Sequence, residues 1–246
     1  MSKNFEFLQQ IDREHEAVRP PSPPVISGNG RRPRFDVAAF CHEERMKLVQ
    51  RLFILPGSDA PRMVLFCGVE TGDGSSWVCA RVSETLASQV KASVCVVDAN
   101  LRTPFLHEHF RTDNLCGLAD AILGSGPIRD FAHQLKGSNL WLITCGSRTA
   151  ESHTLLTSDR LHSRLTELRA EFDYVLLDGP PVNLYADATL LGKLAEGAVL
   201  VLQANSTRRE AARKAKESLD SAKVRLLGAV LNKRTFPIPE ALYHWI

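Results

Sequence analysis

The chain lacks most of the features that place a protein quickly. No run approaches the ~20 apolar residues needed to span a bilayer, and the N-terminal stretch holds no apolar signal core. Its six cysteines form no C-x-x-C pair. Cys67, Cys79 and Cys95 sit inside apolar patterns instead, as small buried residues of a reducing compartment would. A dominant charge is also missing: 30 basic residues face 28 acidic ones, a net charge of +2. That balance excludes nucleic-acid binding driven by bulk charge. Tyrosine is scarce, at three residues in 246. These absences predict a cytoplasmic protein with no nucleic-acid partner and no direct membrane insertion, so any membrane link comes through a partner.

What remains is ordinary globular material, 44% apolar and 24% charged. Residues 1–36 read as a flexible leader. A short charged stretch, Asn4 to Glu16, precedes Pro20-Pro-Ser-Pro-Pro, Gly28-Asn-Gly and Arg31-Arg-Pro-Arg, a composition with little core-forming capacity. His42 to Phe53 reads as an amphipathic helix with Met46, Val49, Leu52 and Phe53 on one face.

Beyond Pro56, strands and helices alternate. Strands are expected at 62–67, 93–98, 140–145, 173–178, 197–202 and 225–231. Helices are expected at 76–90, 116–123, 158–171, 186–195 and 207–222. Strands that are apolar throughout, alternating with helices, specify a mostly parallel sheet covered on both faces. The fold class is therefore α/β, a three-layer doubly wound domain over residues 37–236, with a short tail at 237–246. Right-handed crossovers bring every strand's C-terminal end, and hence the ligand site, to one edge.

Four pieces fall on that edge. After the apolar run Val64-Leu-Phe-Cys comes a loop with Gly68, Gly72 and Gly74, and Ser75 and Ser76 then open a helix. This is the layout of a phosphate-binding P-loop, whose backbone N–H groups and helix N-terminus cradle an anion. The lysine expected before the final hydroxyl is absent, and Ser75 stands there. Gly72, Asp73, Gly74, Ser75 and Ser76 are the candidate phosphate contacts, with the Ser76 hydroxyl placed to ligate Mg²⁺. The second piece is Val97-Asp98-Ala-Asn-Leu-Arg102 and the third Leu177-Asp178-Gly-Pro-Pro-Val182. Each is an acid leaving a buried strand, suited to a metal ion or its water. The fourth is Leu231-Asn-Lys-Arg234, where the Asn232 amide can meet a nucleobase edge. Taken singly, an acid at a strand end also serves as a turn or helix cap, and Asn232 as a turn residue.

From Phe40 to the C-terminus the chain resembles the bacterial tyrosine autokinases of capsular and exopolysaccharide synthesis, P-loop proteins related to septum-positioning and plasmid-partition ATPases. The resemblance rests on Val97-Asp-Ala-Asn-Leu-Arg-Thr-Pro-Phe-Leu-His107, on Tyr174-Val-Leu-Leu-Asp-Gly-Pro-Pro-Val182 with Asp187 beyond it, and on Gly228-Ala-Val-Leu-Asn232. It implies a P-loop NTPase fold that takes ATP and Mg²⁺. It implies Asp98, Asp178 and Arg102 as catalytic residues, with Ser76, Asp98 and Asp178 at the metal. It also implies a homo-oligomer, and a membrane polysaccharide co-polymerase (a chain-length regulator) as partner.

Four departures cut across it. Ser75 replaces the loop lysine, and Asn100 stands where the family has a second aspartate. The oligomerisation motif Glu-x-x-Arg-x-x-Arg survives only as Glu44, Lys47 and Gln50. The tyrosine-rich tail is reduced to Tyr243, the expected phospho-acceptor. A lost ammonium removes contacts worth about 1.5–3 kcal/mol each, roughly 10- to 150-fold in ATP affinity. Three functions follow: an ATP-binding autokinase with weak or partner-dependent activity, a catalytically dead pseudokinase scaffold, and a positioning ATPase. The last normally carries a further lysine where this chain has Glu70. His107 and His109, at i and i+2, point to different sides of a helix and make a poor metal pair.

Overall fold

The computed structural model describes residues 37–135, 137–147 and 152–234. The leader, Tyr243 and the rest of the tail lie outside these residues. Helices are numbered here in chain order. The first, α1 (Val37–Val49), runs on into a π-helical turn over Gln50–Ile54 that buries Leu52 and Phe53. It starts five residues ahead of the expected position.

Seven strands follow: β1 (Met63–Gly68), β2 (Val94–Asp98), β3 (His133–Gln134), β4 (Leu140–Ile143), β5 (Tyr174–Asp178), β6 (Gly197–Gln203) and β7 (Leu226–Asn232). They form one sheet in the order β3-β4-β2-β5-β1-β6-β7. All pairings are parallel except β3 with β4. The helices between them are α2 (Ser75–Gln89), α3 (Leu106–Phe110), α4 (Leu118–Leu123), α5 (Ser152–Leu156), α6 (Asp159–Glu171), α7 (Asp187–Leu194) and α8 (Arg209–Ser221).

Alternation along each strand builds two cores. Val64, Phe66, Val94, Val96 and Leu176 face α1, α2 and α3. Met63, Leu65, Cys67, Cys95, Val97, Val175 and Leu177 face α4 to α8. Each central strand is buried on both sides, which is why it reads as a continuous apolar run. Burial pushes the Cys67 thiol up to about 12 and raises Cys79 and Cys95 as well, so these cysteines behave as core side chains.

The topology decides where the site lies. From β1 the chain crosses to β2, then inserts β5 between them, and only afterwards adds β6 on the other side of β1. The direction of winding reverses at β1, and ligands bind at such a reversal, beyond the carboxyl ends of the strands. Register then sets two acids side by side, because Asp98 pairs with Asp178 across β2 and β5, while Phe66 of β1 pairs with Asp178 on the other flank.

Candidate functional site

The loop from Gly68 to Ser76 leaves β1 and turns into α2 at Gly74, whose φ of +83° is left-handed. Two constraints select glycine there. The φ is strained for any L side chain, and a Cβ would lie 2.4 Å from the Asn232 amide nitrogen. The last turn of the loop therefore presents backbone to whatever enters, with half-buried Ser75 and Ser76 at the head of α2.

The loop is held from within. Asp73 is buried, and its Oδ2 accepts the N–H groups of Val69 and Glu70, both at 2.8 Å. Its Oδ1 accepts the Thr207 hydroxyl at 3.0 Å. Asp73 thus shapes the loop, with both carboxylate oxygens bonded within the fold. The Asn232 side chain donates through Nδ2 to the Asp73 carbonyl at 2.8 Å. Only an amide nitrogen can donate to a carbonyl, so the orientation of Asn232 follows from chemistry. One of its two N–H donors is used on the loop, which leaves the second N–H and the oxygen to meet a base. Lys233, the next residue, donates to the Gly72 carbonyl at 2.6 Å.

The acids are arranged differently. Asp98 and Asp178 are fully buried at the ends of β2 and β5. Asp98 Oδ2 accepts the N–H groups of Phe105 and Leu106, both at 2.9 Å, and so caps the start of α3. Its Oδ1 and both oxygens of Asp178 accept no hydrogen bond. Burial pushes Asp98 up to about 6. It pushes Asp178 well above the carboxylate range, reinforced by the negative Asp98 beside it, while the nearby Ser76 hydroxyl draws it partly back. Two such neighbours titrate as a pair and do not both ionise easily.

Unpartnered buried carboxylate oxygens need a proton or a cation. Among the described residues no group of three or more His, Cys, Asp or Glu forms a metal cage. Mg²⁺ does not require one, since it is commonly held by one or two carboxylates, waters and substrate phosphates. Asp98, Asp178 and the Ser76 hydroxyl fit that pattern.

The other candidates are engaged. Asn100 closes its own turn: its Nδ2 donates to Thr103 Oγ1 at 3.0 Å, and its Oδ1 accepts the Thr103 N–H at 3.2 Å. Arg102 forks onto Asp187, Nε to Oδ2 at 2.6 Å, and its guanidinium stacks 4.1 Å from the Tyr185 ring. This clamp joins the β2 edge to the start of α7. His109 lies 3.3 Å from Glu84. Sequence reasoning overlooked three contacts: the inward turn of Asp73, its bond to Thr207, and Lys233 on the loop. Only Lys233 leaves a signal, as a cation directly after the Asn232 at the end of β7.

With this geometry in hand, comparison with known proteins is informative. The model for the cellulose biosynthesis protein BcsQ matches residues 62–226. The tyrosine-protein kinase YwqD of Bacillus subtilis is 33% identical over 171 residues, covering 70% of this chain and 72% of that one. The chain belongs to the bacterial tyrosine-protein kinase family. Among solved structures, the chimerical protein CapA2B2 matches with a TM-score of 0.74 at 24% identity, over 79% of this chain and 85% of that one. The septum site-determining protein MinD of Pyrococcus horikoshii, solved with Mg-ADP, matches at 0.59 and 23% identity, over 74% and 76% of the two chains. Likeness at these identities shows the P-loop NTPase fold alone. Among the described residues no helix is long and apolar enough to cross a membrane.

Proposed function

We propose that the protein is a tyrosine-autokinase-family component of exopolysaccharide synthesis that binds Mg-ATP and transfers phosphate weakly or only with a partner. The observation that carries this reading is the buried Asp98–Asp178 pair, with three oxygens left without a partner of normal hydrogen-bond geometry and the Ser76 hydroxyl of the glycine loop close to Asp178. Asp98, Asp178 and Ser76 would hold Mg²⁺, and the N–H groups around Gly74 and Ser75 would hold phosphates. The metal, when bound, neutralises charge on the transferring phosphoryl group. The acceptor in this reading is Tyr243 of a neighbouring copy.

A membrane polysaccharide co-polymerase is the proposed partner, and it would bring the protein to the inner membrane. The outer face of α1, with Glu43 and Glu44 ion-paired to Lys47, is the surface for a homo-oligomer. One observation favours a catalytically silent version of the same role. Arg102, the cation that could compensate for Ser75, is bonded within the fold, and Asn100, in place of an acid, closes its own turn.

The test is Mg-ATP binding and hydrolysis by wild type beside Ser75→Lys. Wild type should bind measurably, and the variant roughly 10- to 150-fold more tightly, since it regains a charge-assisted contact. Phosphate on Tyr243 in either protein, co-expressed with the co-polymerase, supports the kinase version. Binding without any transfer supports the silent one, and no binding by either protein sinks the nucleotide reading.

A further inference from the structure

The glycine loop has no lysine of its own, yet a lysine is seated on it. We propose that Lys233 is the cation this site uses in place of the one missing at position 75, giving its remaining N–H groups to the phosphate oxygens of the nucleotide. The proposal rests on the nucleotide reading above.

Three observations place Lys233 there. Its Nζ donates to the Gly72 carbonyl at 2.6 Å, from an exposed position at the mouth of the loop. Its Cε lies 3.7 Å from the point a Cβ on Gly74 would occupy, so its stem crosses directly over the residue preceding Ser75. Its backbone is left-handed, with φ of +55°. That conformation is strained for a lysine relative to an ordinary one. The preceding residue supplies the anchor, because Asn232 is bonded to the Asp73 carbonyl.

The charges around the loop explain why a cation is needed. Glu70 is exposed and Asp73 is buried in the same loop, and no cation lies between Gly68 and Ser76. A polyphosphate entering such a loop meets repulsion that backbone dipoles offset only in part. Arg102 is committed to Asp187 and Tyr185. An ammonium carries three N–H donors and no acceptor, and one bond to Gly72 leaves two to give. Bonds from an ammonium to phosphate oxygens are charge-assisted and roughly twice as strong as neutral ones.

A purely mechanical role, latching the loop to β7, would also account for the Gly72 bond, so the experiment must separate latch from charge. Mg-ATP binding to the full chain is measured by calorimetry for wild type, Lys233→Gln, Lys233→Met, Lys233→Arg, Ser75→Lys and Ser75→Lys/Lys233→Gln. Lys233→Gln keeps an N–H donor for Gly72 and removes the charge. It should weaken binding on the order of tenfold, as should Lys233→Met, whereas Lys233→Arg should stay within about threefold of wild type. In the Ser75→Lys background the loss from Lys233→Gln should shrink to under about threefold, because a second cation then serves the same oxygens.

Melting curves without nucleotide show whether each variant is folded. Binding by Lys233→Gln equal to wild type overturns the proposal and leaves a latch. A loss of the same size in both backgrounds overturns it too. Binding by Ser75→Lys with none by wild type shows that Lys233 does not substitute, while absence of binding in both removes the nucleotide reading itself.

Discussion

The two halves of the site are built on opposite principles. On the loop side, Asp73 uses both carboxylate oxygens on N–H and O–H donors of the fold, and Asn232 and Lys233 tie down the adjoining carbonyls. On the acid side, Asp98 bonds firmly through one oxygen, and Asp178 has no hydrogen-bond partner beyond the nearby Ser76 hydroxyl. A satisfied buried carboxylate stabilises its surroundings, whereas an unsatisfied one stores free energy that a ligand or proton can release. The loop is therefore preorganised and rigid before any nucleotide arrives. The acid pair is poised, and becomes stable only when charge is supplied. Ser75 in place of the loop lysine alters the preorganised half, whose shape comes from other residues, and does not touch the Asp98–Asp178 pair.

The sharpest way to break this contrast is to remove the loop's internal anchor. Asp73→Ala deletes charge-assisted acceptors from two N–H groups and a hydroxyl, leaving the Glu70 N–H without the partner it has now. The loss should be about 3–4 kcal/mol of folding stability, the largest effect of any change in the site. Urea or thermal unfolding of the nucleotide-free protein measures it. A loss under about 1 kcal/mol would show that the loop is shaped by something other than Asp73.

Much of this contrast was hidden in the sequence for physical reasons. The central strands were legible because both faces of β1, β2, β5 and β6 are covered, so apolar runs mark them to within a residue or two. Strand β3 carries no such mark, since His133 and Gln134 are exposed and pair only at the antiparallel edge. Asp98 reads equally as a metal acid or a helix cap, and the structure uses one oxygen for the cap and leaves the other free. Asp73 could not be assigned from its spacing. A carboxylate in a glycine loop can point in or out, and the donors that turn it inward include Thr207, far along the chain. Asn100 and Arg102 match or depart from a family pattern by letter, but their turn and ion-pair partners appear only in three dimensions.

On the acid side the expected sign is reversed. Asp98 and Asp178 both hold a proton more tightly in the fold than at the ordinary value of 3.8. Above that pH the native state binds more protons than the unfolded chain, so stability falls as pH rises through about 6. Asp178→Asn removes one of the two buried charges. It should raise the stability of the metal-free protein at pH 8 by about 2 kcal/mol, or roughly 4–8 °C in melting temperature, and flatten the fall between pH 5 and 7. Mg²⁺ should stabilise wild type increasingly as pH rises and leave Asp178→Asn unmoved. A variant that melts below wild type at every pH would mean that the pair is already satisfied in the native state.

The smallest test reaches the contact that joins the loop to the turn between β6 and α8. Thr207 donates its hydroxyl hydrogen to Asp73 Oδ1 and accepts the Gln203 N–H at 2.8 Å, so one hydroxyl serves the loop and the end of β6 together. Thr207→Val keeps the shape and removes both bonds, a loss of about 1–2 kcal/mol, whereas Thr207→Ser should lose a few tenths at most. If the hydroxyl acts mainly by fixing Asp73, its removal should matter much less once Asp73 is already alanine. In the Asp73→Ala background the loss from Thr207→Val should fall to about half or less, an interaction energy near 1 kcal/mol. Strict additivity would place the hydroxyl's role in β6 alone and uncouple the turn before α8 from the loop. A clear interaction would extend the preorganised half of the site from the glycine loop to the turn that follows β6.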